Sequence, residues 1–190
     1  MKYDVILAGV GGQGVLSVAT VIAQAAVNEG LQVRQSEVHG MAQRGGAVLA
    51  HLRISDKVIA GDLVPRGAAS LILAMEPLES IRYAAWLSPD GTLVTAAEPF
   101  ANIPNYPELS GIHDAIKKFP KHRIVQAAAL AKETGLVRSV NMVMVGAASA
   151  FLPIAAKTLE ATMEKMFAGK DPAAVEANKK AFTLGRNAAE

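Results

Sequence analysis

Two glycine-rich segments gather the residue types most able to do chemistry. The first, Gly9-Val10-Gly11-Gly12-Gln13-Gly14, follows the apolar run Val5 to Ala8 and precedes a long stretch of small and apolar residues. The second, Ser36 to Gly46, sets Glu37, His39, Gln43 and Arg44 beside Gly40, Gly45 and Gly46. Strand, G-x-G-x-x-G, helix is the arrangement of a dinucleotide-type fingerprint. In that pattern Gly9 allows the tight turn, Gly11 lets the backbone approach a ligand, and Gly14 lets the helix pack close to the strand. The free N–H groups and dipole of the helix N-terminus then favour a phosphate or a carboxylate. The alternative is a tight strand-to-helix turn that binds nothing.

An NAD site also needs an acid ending the second strand, where it holds the ribose hydroxyls. Glu37 sits near that place, but the run from His39 to Gly46 is not the continuation of an adenosine pocket. Arg44 among glycines suits an anion or a charged neighbour across an interface. The alternative is a polar turn in which Glu37 and Arg44 pair with each other. His39 is either a hydrogen-bonded structural histidine, the commoner case, or an acid or base. On an extended segment it would share a side with Glu37. Asn141, near the start of a Met-rich helix, either caps that helix or bonds a neighbouring loop. His51, His113 and His122 are scattered without metal-ligand spacing, and Ser17 and Ser36 lack a nucleophile motif.

Val5 to Ala8 is a strand buried on both faces. Val15 to Asn28 is a helix closed by Gly30, and Leu31 to Ser36 is a second strand, completing a βαβ opening. Two glycine loops at successive strand ends could then face one cleft. Ala47 to Ile54 reads as a strand that turns at Ser55-Asp56-Lys57 into Val58-Ile59-Ala60, a hairpin with antiparallel pairing. Ala69 to Ala74 is another buried strand, and Glu76-Pro77 opens a helix to about Trp86. Pro89-Asp90-Gly91 reads as a turn before a strand from Thr92 to Thr95. Pro99 to Gly111 reads as a loop, and Arg123 to Val125 as a last strand. Helices follow at Ala127–Thr134, Val140–Phe151, Lys157–Phe167 and Pro172–Asn187, the last with Asp171 as N-cap. These C-terminal helices pack on the sheet or on a partner.

The chain has 190 residues, enough for one α/β domain over 1–190 and short for two. A net charge of +2, with no Lys/Arg run and few aromatics, argues against a nucleic-acid surface. There is no cysteine, which excludes disulfides, thiolate nucleophiles and cysteine-ligated clusters on this chain. The start runs straight into a strand without a signal peptide, and Val137 to Ala156 reads as a buried helix rather than a membrane span. The expectation is a soluble cytoplasmic protein.

The two loops together, Gly9-x-Gly-Gly-Gln-Gly-Val15 and Glu37-x-His-Gly-Met-Ala-Gln-Arg-Gly-Gly46, resemble the gamma-type subunit of the 2-oxoacid:ferredoxin oxidoreductases. The second loop is most similar to the beta subunit of the indolepyruvate type. The resemblance continues through Glu76 to Arg82, Pro89 to Gly91, Asn141 to Gly146 and Glu176 to Gly185, and covers essentially the whole chain. It implies a Rossmann-like, doubly wound, mostly parallel sheet with extra C-terminal helices, working inside a larger enzyme. Thiamine diphosphate with magnesium and the 4Fe–4S clusters would belong to a larger partner subunit, and electrons would leave to ferredoxin. An aryl pyruvate and coenzyme A would be the substrates. On this reading Gly9, Gly11, Gly12, Gln13, Gly14, Glu37, His39, Gln43, Arg44, Gly45 and Asn141 contribute to a substrate, coenzyme A or phosphate site. His39 and Arg44 are the candidates for a catalytic role, and no metal is held by this chain. Competing readings are a stand-alone NAD- or flavin-binding oxidoreductase and a non-catalytic nucleotide-sensing or assembly module.

Overall fold

The computed structural model describes residues 1–39, 45–101, 103–169 and 171–190, with His39 described by its backbone alone. Six strands form one sheet: β1 (Lys2–Val10), β2 (Gln32–His39), β3 (Ala47–Ser55), β4 (Ala69–Ala74), β5 (Leu87–Ala96) and β6 (His122–Val125). Their order is β2-β3-β1-β4-β5-β6. β1, β4, β5 and β6 pair in parallel, while β3 runs antiparallel to both β1 and β2. Five strands therefore point one way, and their carboxyl ends share one edge of the molecule.

Seven helices are found among the described residues: α1 (Val15–Asn28), α2 (Pro77–Arg82), α3 (Leu109–Lys117), α4 (Ala127–Glu133), α5 (Val140–Ser149), α6 (Ala156–Phe167) and α7 (Pro172–Ala189). Local chemistry sets their ends. α1 stops in a Schellman motif, with Gly30 at φ 78°, Gly30 N–H on Val27 O at 2.9 Å and Leu31 N–H on Ala26 O at 3.1 Å. At α2 the Glu76 carboxylate accepts from Glu79 N at 2.9 Å, with Pro77 in the first turn. Asp171 caps α7 by accepting from Ala173 N at 3.0 Å.

Alternation along β1 divides the core. Val5 and Leu7 join Ala50, Leu52 and Ile54 of β3 beneath α1, α5 and α7. Ile6 joins Ile72, Leu93 and Ile116 on the opposite face, under α2 and α3. α5 is buried from Met142 to Ser149 and crosses α7 at two glycines. A methyl group at Gly146 would overlap Phe182 O, and one at Gly185 would overlap Val143 O.

Four expectations change. Val58 to Ala60 is not a strand, and Val58 is 88% exposed. Antiparallel pairing is present, but β3 makes it with β1 and β2. The segment after β3 is instead pinned by Arg53, which donates to Gly61 O at 2.8 Å and Leu63 O at 3.1 Å while paired with the buried Asp4 carboxylate at 2.8 Å. β1 and β2 are parallel but not neighbours, since β3 lies between them. Pro89 to Gly91 lies within β5 rather than before it. The step Ala69 to Leu71 on β4 is matched by the longer step Leu87 to Thr92 on β5, so the turn residues form a bulge. Finally, α3 occupies part of the stretch read as loop. Leu109, Ile112 and Ile116 repeat at helical spacing, and a run of prolines upstream hides that period.

Candidate functional site

The first glycine segment joins the end of β1 to the start of α1. The chain leaves β1 through α1 on one face and leaves the neighbouring β4 through α2 on the other, so the β1/β4 boundary is the switch point where open α/β sheets bind ligands. Gln13 bridges it. Its Oε1 accepts from Val10 N at 2.8 Å and its Nε2 donates to Met75 O at 3.1 Å. Met75 N in turn donates to Ala8 O at 2.8 Å. Gln13 thus builds the loop from inside.

The glycines divide the work differently from the fingerprint. Gly9 provides the close packing, because a Cβ there would stand 2.7 Å from Val15 Cγ2 and 3.1 Å from Met75 Cβ. Gly14 provides the turn, with φ 75° in the left-handed region, and its missing side chain leaves room for the Asn141 amide. Gly11 N–H donates to Gly46 O at 2.8 Å and Gly11 O accepts from Gly45 N at 3.2 Å. Gln13 N–H donates to Val10 O at 3.0 Å. Those two amides are engaged internally. What the loop can offer a ligand is Gly12, at φ 101°, and the first turn of α1, which has no side-chain cap.

The pair of backbone bonds between Gly11 and Gly45-Gly46 brings the end of the second glycine segment onto the first. Its other flank, His39 at the end of β2, lies at the same carboxyl edge. Gly40, Met41, Ala42, Gln43, Arg44 and the His39 ring lie outside the described residues, and so does any Glu37–Arg44 pair. Glu37 is exposed and accepts from Gln35 Nε2 at 3.3 Å. Because β3 intervenes, Glu37 stands one strand spacing, about 4.8 Å, farther from the glycine loop than the acid of an NAD site.

Asn141 does not cap α5. Ser139 is at that position, no side chain caps the helix, and the Asn141 amide stands against Gly14. A neighbour that sequence reasoning passed over is Glu76. Buried just beyond Met75, its carboxylate accepts from Tyr106 Oη and from Phe100 N at 3.3 Å, tying the proline-rich segment to the same edge. Burial, then the Glu76 carboxylate, pushes the Tyr106 hydroxyl well above the usual tyrosine range. Burial also raises Glu79, against the pull of Arg82, whose Nε lies 3.1 Å from both carboxylate oxygens. The signal available in the sequence was only Glu-Pro at a helix start.

The remaining histidines serve the fold. His51 Nδ1 accepts from Val64 N at 3.1 Å, His113 Nε2 donates to Ala97 O at 3.0 Å, and His122 Nδ1 donates to Phe119 O at 2.7 Å. Among the described residues no group of three His, Asp or Glu could hold a metal, and no helix is long and apolar enough to cross a membrane.

A family model described as pyruvate ferredoxin/flavodoxin oxidoreductase matches residues 4–188. The chain is 37% identical to the indolepyruvate oxidoreductase subunit IorB of Pyrococcus horikoshii, covering 100% of this chain and 96% of that one. It is 34% identical to the protein of the same name from Archaeoglobus fulgidus, with the same coverage. Among solved structures, the gamma subunit of a keto/oxoacid ferredoxin oxidoreductase from Geobacter sulfurreducens gives a TM-score of 0.71 at 26% identity over 98% of both chains. The 2-oxoglutarate:ferredoxin oxidoreductase of Magnetococcus marinus shares the fold, with a TM-score of 0.77 at 22% identity, over 99% of this chain and 31% of its own.

Proposed function

This chain belongs to the pyruvate ferredoxin/flavodoxin oxidoreductase family, and on that premise we propose that it is the small subunit of an indolepyruvate-type 2-oxoacid:ferredoxin oxidoreductase. It completes the site for the 2-oxoacid and coenzyme A against a larger subunit. The enzyme breaks the bond between the carboxylate and carbonyl carbons of an aryl pyruvate and releases CO2. It joins the acyl carbon to the coenzyme A sulfur, passes two electrons to two ferredoxins and releases a proton. The proposed compartment is the cytoplasm, where that carrier is reduced.

Thiamine diphosphate, its magnesium and the 4Fe–4S clusters are assigned to the larger subunit. This chain has no cysteine for a cluster and no Gly-Asp-Gly segment followed by an Asn-type magnesium ligand. Its own residues bind and orient. Gly12 and the uncapped start of α1 receive an anionic oxygen, with the Asn141 amide beside them. Arg44 holds a carboxylate or a coenzyme A phosphate, and Glu37 and His39 orient it. Covered by the larger subunit, these donors act where water no longer screens them.

The observation that carries the reading is the near-complete, two-way coverage of the small subunits named IorB, joined to a loop whose outer amides are uncapped. The displaced position of Glu37 weighs against a stand-alone NAD enzyme. A charge-assisted contact contributes ~1.5–3 kcal/mol. Arg44→Ala in the assembled complex should therefore raise the apparent Michaelis constant for the 2-oxoacid or coenzyme A about tenfold or more. Unchanged constants for both would remove Arg44 from the binding role.

A further inference from the structure

On the flank of α1, between the starts of α5 and α7 and the end of α6, lies a cavity of about 470 Å³. That volume is within the range of small-molecule sites. Val21, Met142 and Phe167 supply apolar wall, while Ser17, Arg138 and Asn141 supply polar groups. Among the described residues no carboxylate lines it.

Arg138 is unlike the other described arginines. Arg34, Arg53, Arg82, Arg123 and Arg186 each hold a carboxylate, carbonyl or hydroxyl oxygen. Arg66 lies over the Trp86 ring, 4.9 Å from its centroid. Arg138 has no hydrogen bond or ion pair among the described residues, nor has the Asn141 carboxamide. A full positive charge and an amide without partners among the described residues thus meet at a cavity whose remaining wall combines aliphatic and aromatic side chains with Ser17 and Asn178. The guanidinium calls for an oxyanion, and the walls call for an apolar body attached to it. Phosphate alone would leave the walls unused, and a neutral apolar molecule would leave the charge unmatched.

We propose that this cavity binds a small organic anion of the arylalkanoate class, its carboxylate on Arg138 and Asn141 and its ring against Met142 and Phe167. The site takes its charge from Arg138 rather than Arg44 and draws on α6 and α7, while it shares Asn141 and α1 with the glycine-loop site.

The test is an NMR titration of the full-length chain with 3-phenylpropionate. Saturable shifts are expected at Ser17, Arg138, Asn141 and Met142. Arg138 is exposed, so Arg138→Gln should fold normally and bind about tenfold more weakly. Ala174→Phe, which fills the cavity from α7, should abolish the shifts at these residues. Inorganic phosphate and 3-phenylpropionamide, each offering half of the ligand, should bind far more weakly than the carboxylate. Equal binding of the amide, equal binding of phosphate, or undiminished binding by a folded Arg138→Gln chain would overturn the proposal. The readout is binding to the chain alone, so loss of turnover in the complex has no bearing on it.

Discussion

Both ends of the Gln13 carboxamide are bonded inside the protein, to Val10 N and Met75 O, and each bond fastens the glycine loop to a different strand end. An alanine at this position leaves two backbone groups without partners, at a cost of about 1–3 kcal/mol each if both stay dry. Urea unfolding of Gln13→Ala should show that loss, and a midpoint equal to wild type would mean that water replaces the amide freely. His51 carries a second prediction. Burial, then the Arg53 charge, lowers its affinity for a proton, and its Nδ1 must stay unprotonated to accept from Val64 N. The unfolded chain therefore binds more protons than the folded one once the pH drops below the ordinary histidine value, about 6.5. This contribution to stability is complete above that pH and declines as the pH falls toward the folded pKa. Glu79, raised by burial, works with the opposite sign at lower pH, so the comparison is with His51→Gln. Thermal unfolding from pH 7.5 to 5.5 should destabilise wild type more than that variant, and parallel curves would contradict the assignment. Residue types and spacing marked the turn from β1 to α1, but not the division of labour among its glycines. Which glycine turns and which one packs depends on Val15, Met75 and Asn141, and Asn141 comes from the far end of the chain.

At the scale of elements, the crossing of α5 and α7 is the most constrained contact. Glycine in a helix interior is ordinarily about 1 kcal/mol worse than alanine, so Gly146→Ala or Gly185→Ala would be stabilising in isolation. Here the added methyl overlaps a backbone carbonyl, which cannot swing aside as a side chain would. Overpacking at about 1–3 kcal/mol or more outweighs the gain. Each variant should melt several degrees below wild type, and the double variant should fall short of additive because one separation of the helices relieves both overlaps. An unchanged melting temperature would show that the helices part without cost. α1, β4 and α7 were legible because each carries a local stop or start: Gly30, a continuous apolar run, and Asp171-Pro172. The partner of β3 was not legible. A strand read as half of a short hairpin inserts between β1 and β2, paired along its length with both, and the long-range Arg53–Asp4 contact joins it to β1.

For the molecule as a whole, composition sets one limit. A chain without cysteine can hold no cysteine-ligated cluster, so in the proposed enzyme the clusters belong to another polypeptide. The sheet gathers the first glycine segment and the described flanks of the second at one edge, while the cavity at Arg138 draws on residues 17, 138 and 142, which no sequence window brings together. On the proposed function, this chain works only as the part of a larger enzyme that finishes its substrate site. The most direct measurement is reconstitution: the purified larger subunit is titrated with this chain, and coenzyme A-dependent reduction of ferredoxin by indolepyruvate is followed. Each component alone should be inactive, and activity should rise to a plateau at one small subunit per large one. Full activity of the larger subunit without this chain, or oxidation of NADH by this chain alone, would contradict it.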